Sequence, residues 1–176
     1  MVRKLSHEEI VNRQGPKLSE GRLPFCVILN NVRSLYNVGS IFRTADGVGL
    51  EKIWLTGITG YPSQSQISKT ALGAEDSVVW EHRQDVLSVI SELKRKGYQI
   101  VLLEQMDQSI PYERFRPQDP VALILGNEIE GVSNQVLSRC DEAIEIEMSG
   151  IKNSLNVAVA FGIVAYHFRW HLKVQQ

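Results

Sequence analysis

The sequence predicts an α/β domain built on a mostly parallel sheet with helices on both faces. Two patterns predict it. Continuously apolar runs of strand length recur along the chain, as in strands buried on both faces. Between them apolar residues return at helical spacing, the alternation that generates parallel sheets. Composition agrees: 43% hydrophobic and 22% charged residues over 176 positions suit one domain with a sizeable core.

Residues 1–24 form a lead-in with five basic side chains (Arg3, Lys4, Arg13, Lys17, Arg22) against three acidic ones. Gly15, Pro16, Gly21 and Pro24 punctuate it, which predicts a short helix at most and then an irregular stretch. The domain proper is expected over 25–176. Phe25–Leu29 (FCVIL) reads as the first buried strand. Val38, Ile41, Phe42, Ala45 and Val48 follow at helical spacing, with Gly49 as a C-terminal stop. Lys52–Thr56 (KIWLT) reads as a strand, Gly57–Lys69 as a polar connection, and Val78–Trp80 as another short strand. Val86, Val89, Ile90 and Leu93 mark a surface helix whose basic Lys94–Lys96 end suits its dipole. Gln99–Leu103 and Val121–Leu125 are two more apolar strands, separated by a polar stretch, Asp107–Pro120, long enough for a lid or binding loop. A short helix over Asn134–Arg139 with Ser133 as N-cap, and a last strand Ala143–Ile146, complete the sheet. The terminal helix, Leu155–Leu172, is apolar on most faces through Phe168, which calls for cover from within the domain or from a second chain.

Several function classes are excluded. A net charge of −1 rules out a polycation, so nucleic-acid contact would need a local patch. Cys26 and Cys140 are too few and too distant for a disulfide framework or a zinc cluster, and read as small buried hydrophobes. No apolar run reaches the ~18 residues of a membrane helix, and Met1–Ile10 lacks a signal-peptide core, so a cytoplasmic setting is expected. Gly47 and Gly49 lack the third glycine of a dinucleotide fingerprint. Gly126 and Gly131 have phosphate-loop spacing, but Val132 stands where the lysine belongs. The chain has no HExxH motif and no GxSxG elbow, and its four histidines are scattered; no catalytic metal is expected.

In open α/β sheets ligands bind beyond the carboxyl ends of the strands. Three such loops carry polar side chains. One holds Asn30, Asn31, Arg33 and Asn37, with Arg43, Thr44 and Asp46 in the helix that follows. The second is Gly126–Gly131, with Asn127 and Glu128. The third is Met148, Ser149 and Gly150, then Ser154, Leu155 and Asn156. Glycines, free helix-terminal N–H groups and amides suit a nucleoside-type ligand; N-caps and turns would use the same residues.

Asn37–Ala45 (NVGSIFRTA), Leu125–Ser133 (LGNEIEGVS) and Ile146–Ala158 (IEMSGIKNSLNVA) together resemble, in order and spacing, the three signature motifs of the SpoU/TrmH family of SPOUT methyltransferases. The resemblance covers residues 25 to about 170. It implies a C-terminal deep trefoil knot, S-adenosylmethionine as cofactor, and methylation of a ribose 2′-hydroxyl in RNA. By motif, Gly126, Ile146 and Leu155 would line the cofactor pocket, joined by Asn127 and Met148 and, more weakly, by Glu104 and Gln105. Arg43 matches the family's catalytic arginine. A guanidinium is not deprotonated in proteins, so its role would be to hold a phosphate and stabilise the emerging alkoxide; the alternative is a surface arginine paired with Asp46. Asn37 would orient the ribose or Arg43 from at or before the helix start. Glu128 would position Arg43 or the RNA, and Ser154 and Asn156 would complete the site or merely cap the last helix. The family also implies a homodimer through its first and terminal helices. RNA contact would fall to Arg3, Lys4, Arg13, Lys17, Arg33, Lys69 and Lys152. The short lead-in favours tRNA, with a D-loop guanosine as candidate, over rRNA; a non-catalytic RNA-binding module and a nucleotide-binding regulator without RNA are the remaining alternatives.

Overall fold

In the computed structural model, which describes residues 2–18 and 21–174, seven parallel strands form one sheet. The strands are β1 (Leu23–Asn30), β2 (Leu50–Thr56), β3 (Trp80–Arg83), β4 (Gln99–Leu103), β5 (Ile110–Pro111), β6 (Val121–Leu125) and β7 (Glu142–Glu145), in the order β3-β2-β1-β6-β4-β7-β5. The central strands are buried on both faces, as their unbroken apolar runs require.

Alternate residues of these strands feed two cores. Phe25, Val27, Leu29, Ile53 and Leu55 meet helix α2 (Leu35–Val48) and the terminal α7 (Val157–Val174) on one face. Cys26, Ile28, Ile100 and Ile124 meet α5 (Val86–Arg95) and α6 (Asn134–Leu137) on the other. Each of these helices starts where a side chain can cap it. Ser34 accepts from Asn37 N–H, Asp85 from Leu87 and Ser88, and Ser133 from Val136. Gly49 closes α2 in the left-handed region at φ 73°, which its missing Cβ permits. The basic end of α5 is tied locally, Lys94 to Asp141 and Lys96 to Glu92. Among the described residues no helix is long and apolar enough to cross a membrane.

The inner face of α7 is Phe161, Val164, Ala165, Phe168 and Leu172, all buried. Phe168 sits between Phe25 of β1, at a centroid distance of 5.3 Å, and Phe115, at 5.8 Å. Phe168→Ala is expected to cost about 3–5 kcal/mol, read as a lower denaturant midpoint at unchanged slope. Val159, Tyr166 and Trp170 remain exposed on the outer face.

The structure corrects several local expectations. The edge strand is β3, Trp80–Arg83, and not Val78–Trp80. Its polar residues face side chains of β2: Lys52 bonds Glu81 at 2.7 Å and lies 3.7 Å from the Trp54 ring, so the strand never reads as apolar. The polar connection after β2 holds α3 (Ser65–Ala71), followed by α4 (Ala74–Ser77); α3 buries only Ile67 and Ala71, too few to show a period. The Asp107–Pro120 stretch contains β5, a two-residue strand that pairs with β7. In the lead-in, α1 (His7–Leu18) is longer than expected. Its start is a capping box, in which Glu9 N–H donates to Ser6 Oγ and Ser6 N–H to Glu9 Oε2, and this outweighs the Gly and Pro of its last turn. Strand β7 ends at Glu145 rather than Ile146, and α7 begins at Val157 rather than Leu155.

Both thiols resist ionisation. Burial, then the nearby Glu51, pushes Cys26 up to about 12; burial, then Asp141, pushes Cys140 up to about 11. At pH 8 the native thiols are expected to react with a disulfide reagent at least roughly a hundredfold more slowly than in denaturant.

Candidate cofactor cleft and polar cluster

Leu29, Leu125, Leu103 and Ile144 lie side by side in the register of β1, β6, β4 and β7. The residues that follow them, Asn30, Gly126, Glu104 and Glu145, therefore line up at the carboxyl ends of the strands. Beyond those ends is a cleft of about 460 Å³. All seven residues expected near a cofactor line it: Gly126, Ile146, Leu155, Asn127, Met148, Glu104 and Gln105. Glu128 and Ser154 line it too.

The wall from β6 is a tight loop. Asn127 and Gly131 exchange backbone hydrogen bonds, each 3.0 Å, and Asn127 Oδ1 accepts from the N–H groups of Ile129 and Glu130. The Asn127 amide donates to Asn31 O at 2.9 Å, so this side chain is spent on shaping the loop. A Cβ on Gly126 would lie 2.7 Å from the Gly131 carbonyl carbon and 2.9 Å from Val132 Cγ1, so only glycine closes the loop. The opposite wall is tied by Gln105, whose amide donates to Asn153 O at 2.8 Å.

A polar chain joins all three motif loops. Glu128 accepts from the N–H groups of Arg33 and Ser34 at 3.1 and 3.3 Å and from the Asn37 amide at 3.4 Å. The Asn156 amide donates to Asn37 Oδ1 at 3.0 Å, while Asn156 Oδ1 accepts from Ala158 N–H and so also caps α7. Asn37 lies in the first turn of α2, not at or before the helix start as expected, because Ser34 takes the N-cap. Glu128 contacts that helix start and not Arg43. Burial works to raise the Glu128 carboxyl, but the N–H donors of Arg33 and Ser34, its own backbone and Asn37 prevail and hold it below the usual carboxylate range. A depressed carboxyl stabilises the fold above its unfolded pKa. In Glu128→Gln that contribution, about 0.5–1 kcal/mol after solvent screening, should be missing at pH 7. The difference between wild type and variant should fade as pH falls below about 4.5 in paired urea titrations.

Arg43 stands apart. It is exposed on α2, six residues beyond Asn37 and therefore about 9 Å along the axis, and it makes no hydrogen bond or ion pair among the described residues. The alternative pairing with Asp46 is not formed; Asp46 accepts from Ser77 Oγ at 2.7 Å. Ser154 is exposed at the cleft rim. Of the basic candidates, Arg3 is held by Glu9, while Lys4, Arg13, Arg33, Lys69 and Lys152 are exposed and the Lys17 side chain lies outside the described residues. Among the described residues no group of three His, Cys, Asp or Glu side chains could hold a metal. The expectations missed Glu130, Glu145 and Asn153 of the lining. The available signal was their position, at the carboxyl end of a strand for Glu145 and inside a motif segment for Glu130 and Asn153.

Residues 24–166 match the model of the SpoU rRNA Methylase family. The chain is 30% identical over 159 residues to the tRNA (guanosine(18)-2′-O)-methyltransferase of Aquifex aeolicus, covering 90% of this chain and 75% of that protein. It is 33% identical over 153 residues to a Staphylococcus haemolyticus protein named for the TrmH family of tRNA/rRNA methyltransferases, and the match takes in 87% of this chain but only 61% of that relative's length. The crystal structure of the A. aeolicus TrmH/SpoU tRNA modifying enzyme superposes with a TM-score of 0.82 at 26% identity, over 94% of this chain and 86% of that one. The AdoMet-bound rRNA methyltransferase from Sinorhizobium meliloti superposes at 0.79 and 29% identity, over 84% and 56%. By its motifs, its parallel sheet and these matches, the chain belongs to the SpoU/TrmH family.

Proposed function

We propose that this protein is an S-adenosylmethionine-dependent methyltransferase that acts on a ribose 2′-hydroxyl of RNA, with tRNA as its substrate. The observation that carries the reading is the Glu128–Asn37–Asn156 chain, which ties three separated motifs together at Glu128 on the cleft wall. The cleft fits the cofactor. Its volume lies in the range of small-molecule sites, Leu103, Ile146 and Leu155 offer apolar surface for an adenine, and Gly126 lets a ligand approach the main chain. When bound, the cofactor supplies a methyl group on a positively charged sulfur. The rest of the chemistry is positioning. Asn37 and Asn156 orient the ribose, Glu128 holds the start of α2 in place, and Ser154 offers a hydroxyl at the rim.

Arg43 holds the nucleotide phosphate and stabilises the developing alkoxide, while a phosphate oxygen or water takes the proton. Since Arg43 does not line its own chain's cleft, a second copy delivers it. Exposed Tyr36 on α2 and Val159, Tyr166 and Trp170 on α7 support that homodimer, as an apolar surface beside Arg43 that a partner would cover. A C-terminal knot is part of the same reading. It is supported by β7 lying between β4 and β5, inside the loop that joins those two strands, and by the Gln105–Asn153 bond across it. The basic lead-in proposed for residues 1–24 leads into the catalytic domain, its last two residues already opening β1.

The name of the A. aeolicus relative favours tRNA, with guanosine 18 as the candidate nucleotide. The S. meliloti match favours rRNA as the second reading. Titration calorimetry with S-adenosylmethionine, then labelled-methyl transfer to bulk tRNA and to rRNA, tests both. Binding with transfer to tRNA is the expected result. Transfer to rRNA alone would replace the substrate, and binding without transfer to either would leave a non-catalytic module.

A further inference from the structure

Among the described residues the cleft is lined by Glu104, Glu128, Glu130 and Glu145 and by no lysine, arginine or histidine. The chain as a whole carries a net charge of only −1, so this charge is concentrated locally. Glu128 is committed to the N–H groups at the start of α2. The other three have no ion-pair partner among the described residues. They come from three different elements: Glu104 follows β4, Glu130 lies in the loop after β6, and Glu145 ends β7. Glu104 accepts the Gln105 N–H at 3.1 Å with one oxygen, and the other lies against Gly131 on the facing wall. A concave site with one sign of charge and no internal counter-ion sets up a negative potential that selects ligands by charge.

We propose that Glu104, Glu130 and Glu145 act as a charge filter that holds the cationic methyl donor in preference to its neutral product. The proposal rests on the cofactor reading above. Methyl transfer leaves the electrons of the carbon–sulfur bond on sulfur, forms the oxygen–carbon bond, and sends the hydroxyl proton to a phosphate oxygen or water. A sulfonium thereby becomes an uncharged thioether. The attraction of the three carboxylates for the sulfonium disappears with its charge, so product leaves more readily than donor. These residues tune binding and do not touch the proton.

The test is titration calorimetry of the full chain with three ligands: S-adenosylmethionine, S-adenosylhomocysteine, which lacks the charge, and sinefungin, whose amine replaces the sulfonium with another cation. In wild type the two cations are expected to bind about tenfold more tightly than the thioether, the size that partly exposed charges a few ångströms away can supply. In the triple variant Glu104→Gln, Glu130→Gln, Glu145→Gln the preference should fall to about onefold, with thioether affinity within about twofold of wild type. Glu145→Gln should produce an intermediate preference. Equal binding of all three ligands by wild type, or a preference that survives in the triple variant, overturns the charge filter alone. Failure of all three to bind overturns the cofactor reading and the filter with it. The wild-type comparison needs no variant, so a misfolded mutant does not rescue the proposal.

Discussion

Arg43→Ala is expected to lower methyl transfer about a thousandfold while leaving S-adenosylmethionine affinity and melting temperature unchanged. The two halves of this expectation have separate causes. Stability is indifferent because the side chain is exposed and bonded to nothing among the described residues, so truncation leaves neither a cavity nor an orphaned partner. Cofactor affinity is indifferent because Arg43 does not line the cleft. The rate is sensitive because a donor aimed at developing negative charge is worth about 10²–10³ or more in a preorganised site. Arg43→Lys should recover little, since an ammonium does not reproduce a planar, two-pronged phosphate contact. Delivery by a second copy adds a stricter test. Arg43→Ala and Asn156→Ala subunits should each be inactive alone. A mixed dimer then holds one site with both losses and one with neither, and should regain about half of wild-type turnover. If mixing restores nothing while mixed dimers are present, Arg43 acts on its own chain's cleft and the dimer-built site is wrong.

Gly39→Ala should be the most damaging single methyl addition in the described chain. A Cβ there would collide with the carbonyl oxygen of Ile67 and the hydroxyl of Thr70, and lie 3.1 Å from the Ala71 nitrogen. Thr70 can rotate, but Ile67 O is backbone, so α2 and α3 must separate. Overpacking of this kind costs about 3 kcal/mol or more, which lowers the melting temperature of a domain this size by roughly 6–12 °C. Helix α2 carries Asn37, so cofactor binding and transfer should fall in parallel with the fold. Gly150→Ala is the matched control: nothing lies within 4 Å of its Cβ, and its melting temperature should not move.

The elements legible in the chain are those whose signal is short-ranged. FCVIL, QIVLL and VALIL are strands because a strand covered on both faces buries the consecutive apolar residues of such a run, with only Gln99 and Leu103 at the ends of QIVLL left partly exposed. Ser133 and Gly49 mark helix ends because a hydroxyl and a missing Cβ answer local backbone needs. The elements that escaped notice bury little: α3 turns two side chains inward, and β5 is two residues long. The cleft's lining was legible through its motifs, for the seven residues named as cofactor candidates all meet there. Asn156 was read as either site residue or cap; its amide donates to Asn37 while its oxygen caps α7.

What the sequence determined alone is the alternation of strand and helix, the sheet's parallel sense and the three polar loops that the structure joins. These follow from side-chain period and steric turn preference, which act over a few residues. Tertiary structure decided which groups meet. Asn37 reaches Glu128 across 91 positions and Asn156 across 119, Arg43 stands away from the cleft it was expected to serve, and three unpaired carboxylates share one hollow. Such meetings depend on strand order and register, and these are set by the packing of the whole sheet rather than by any short stretch of chain.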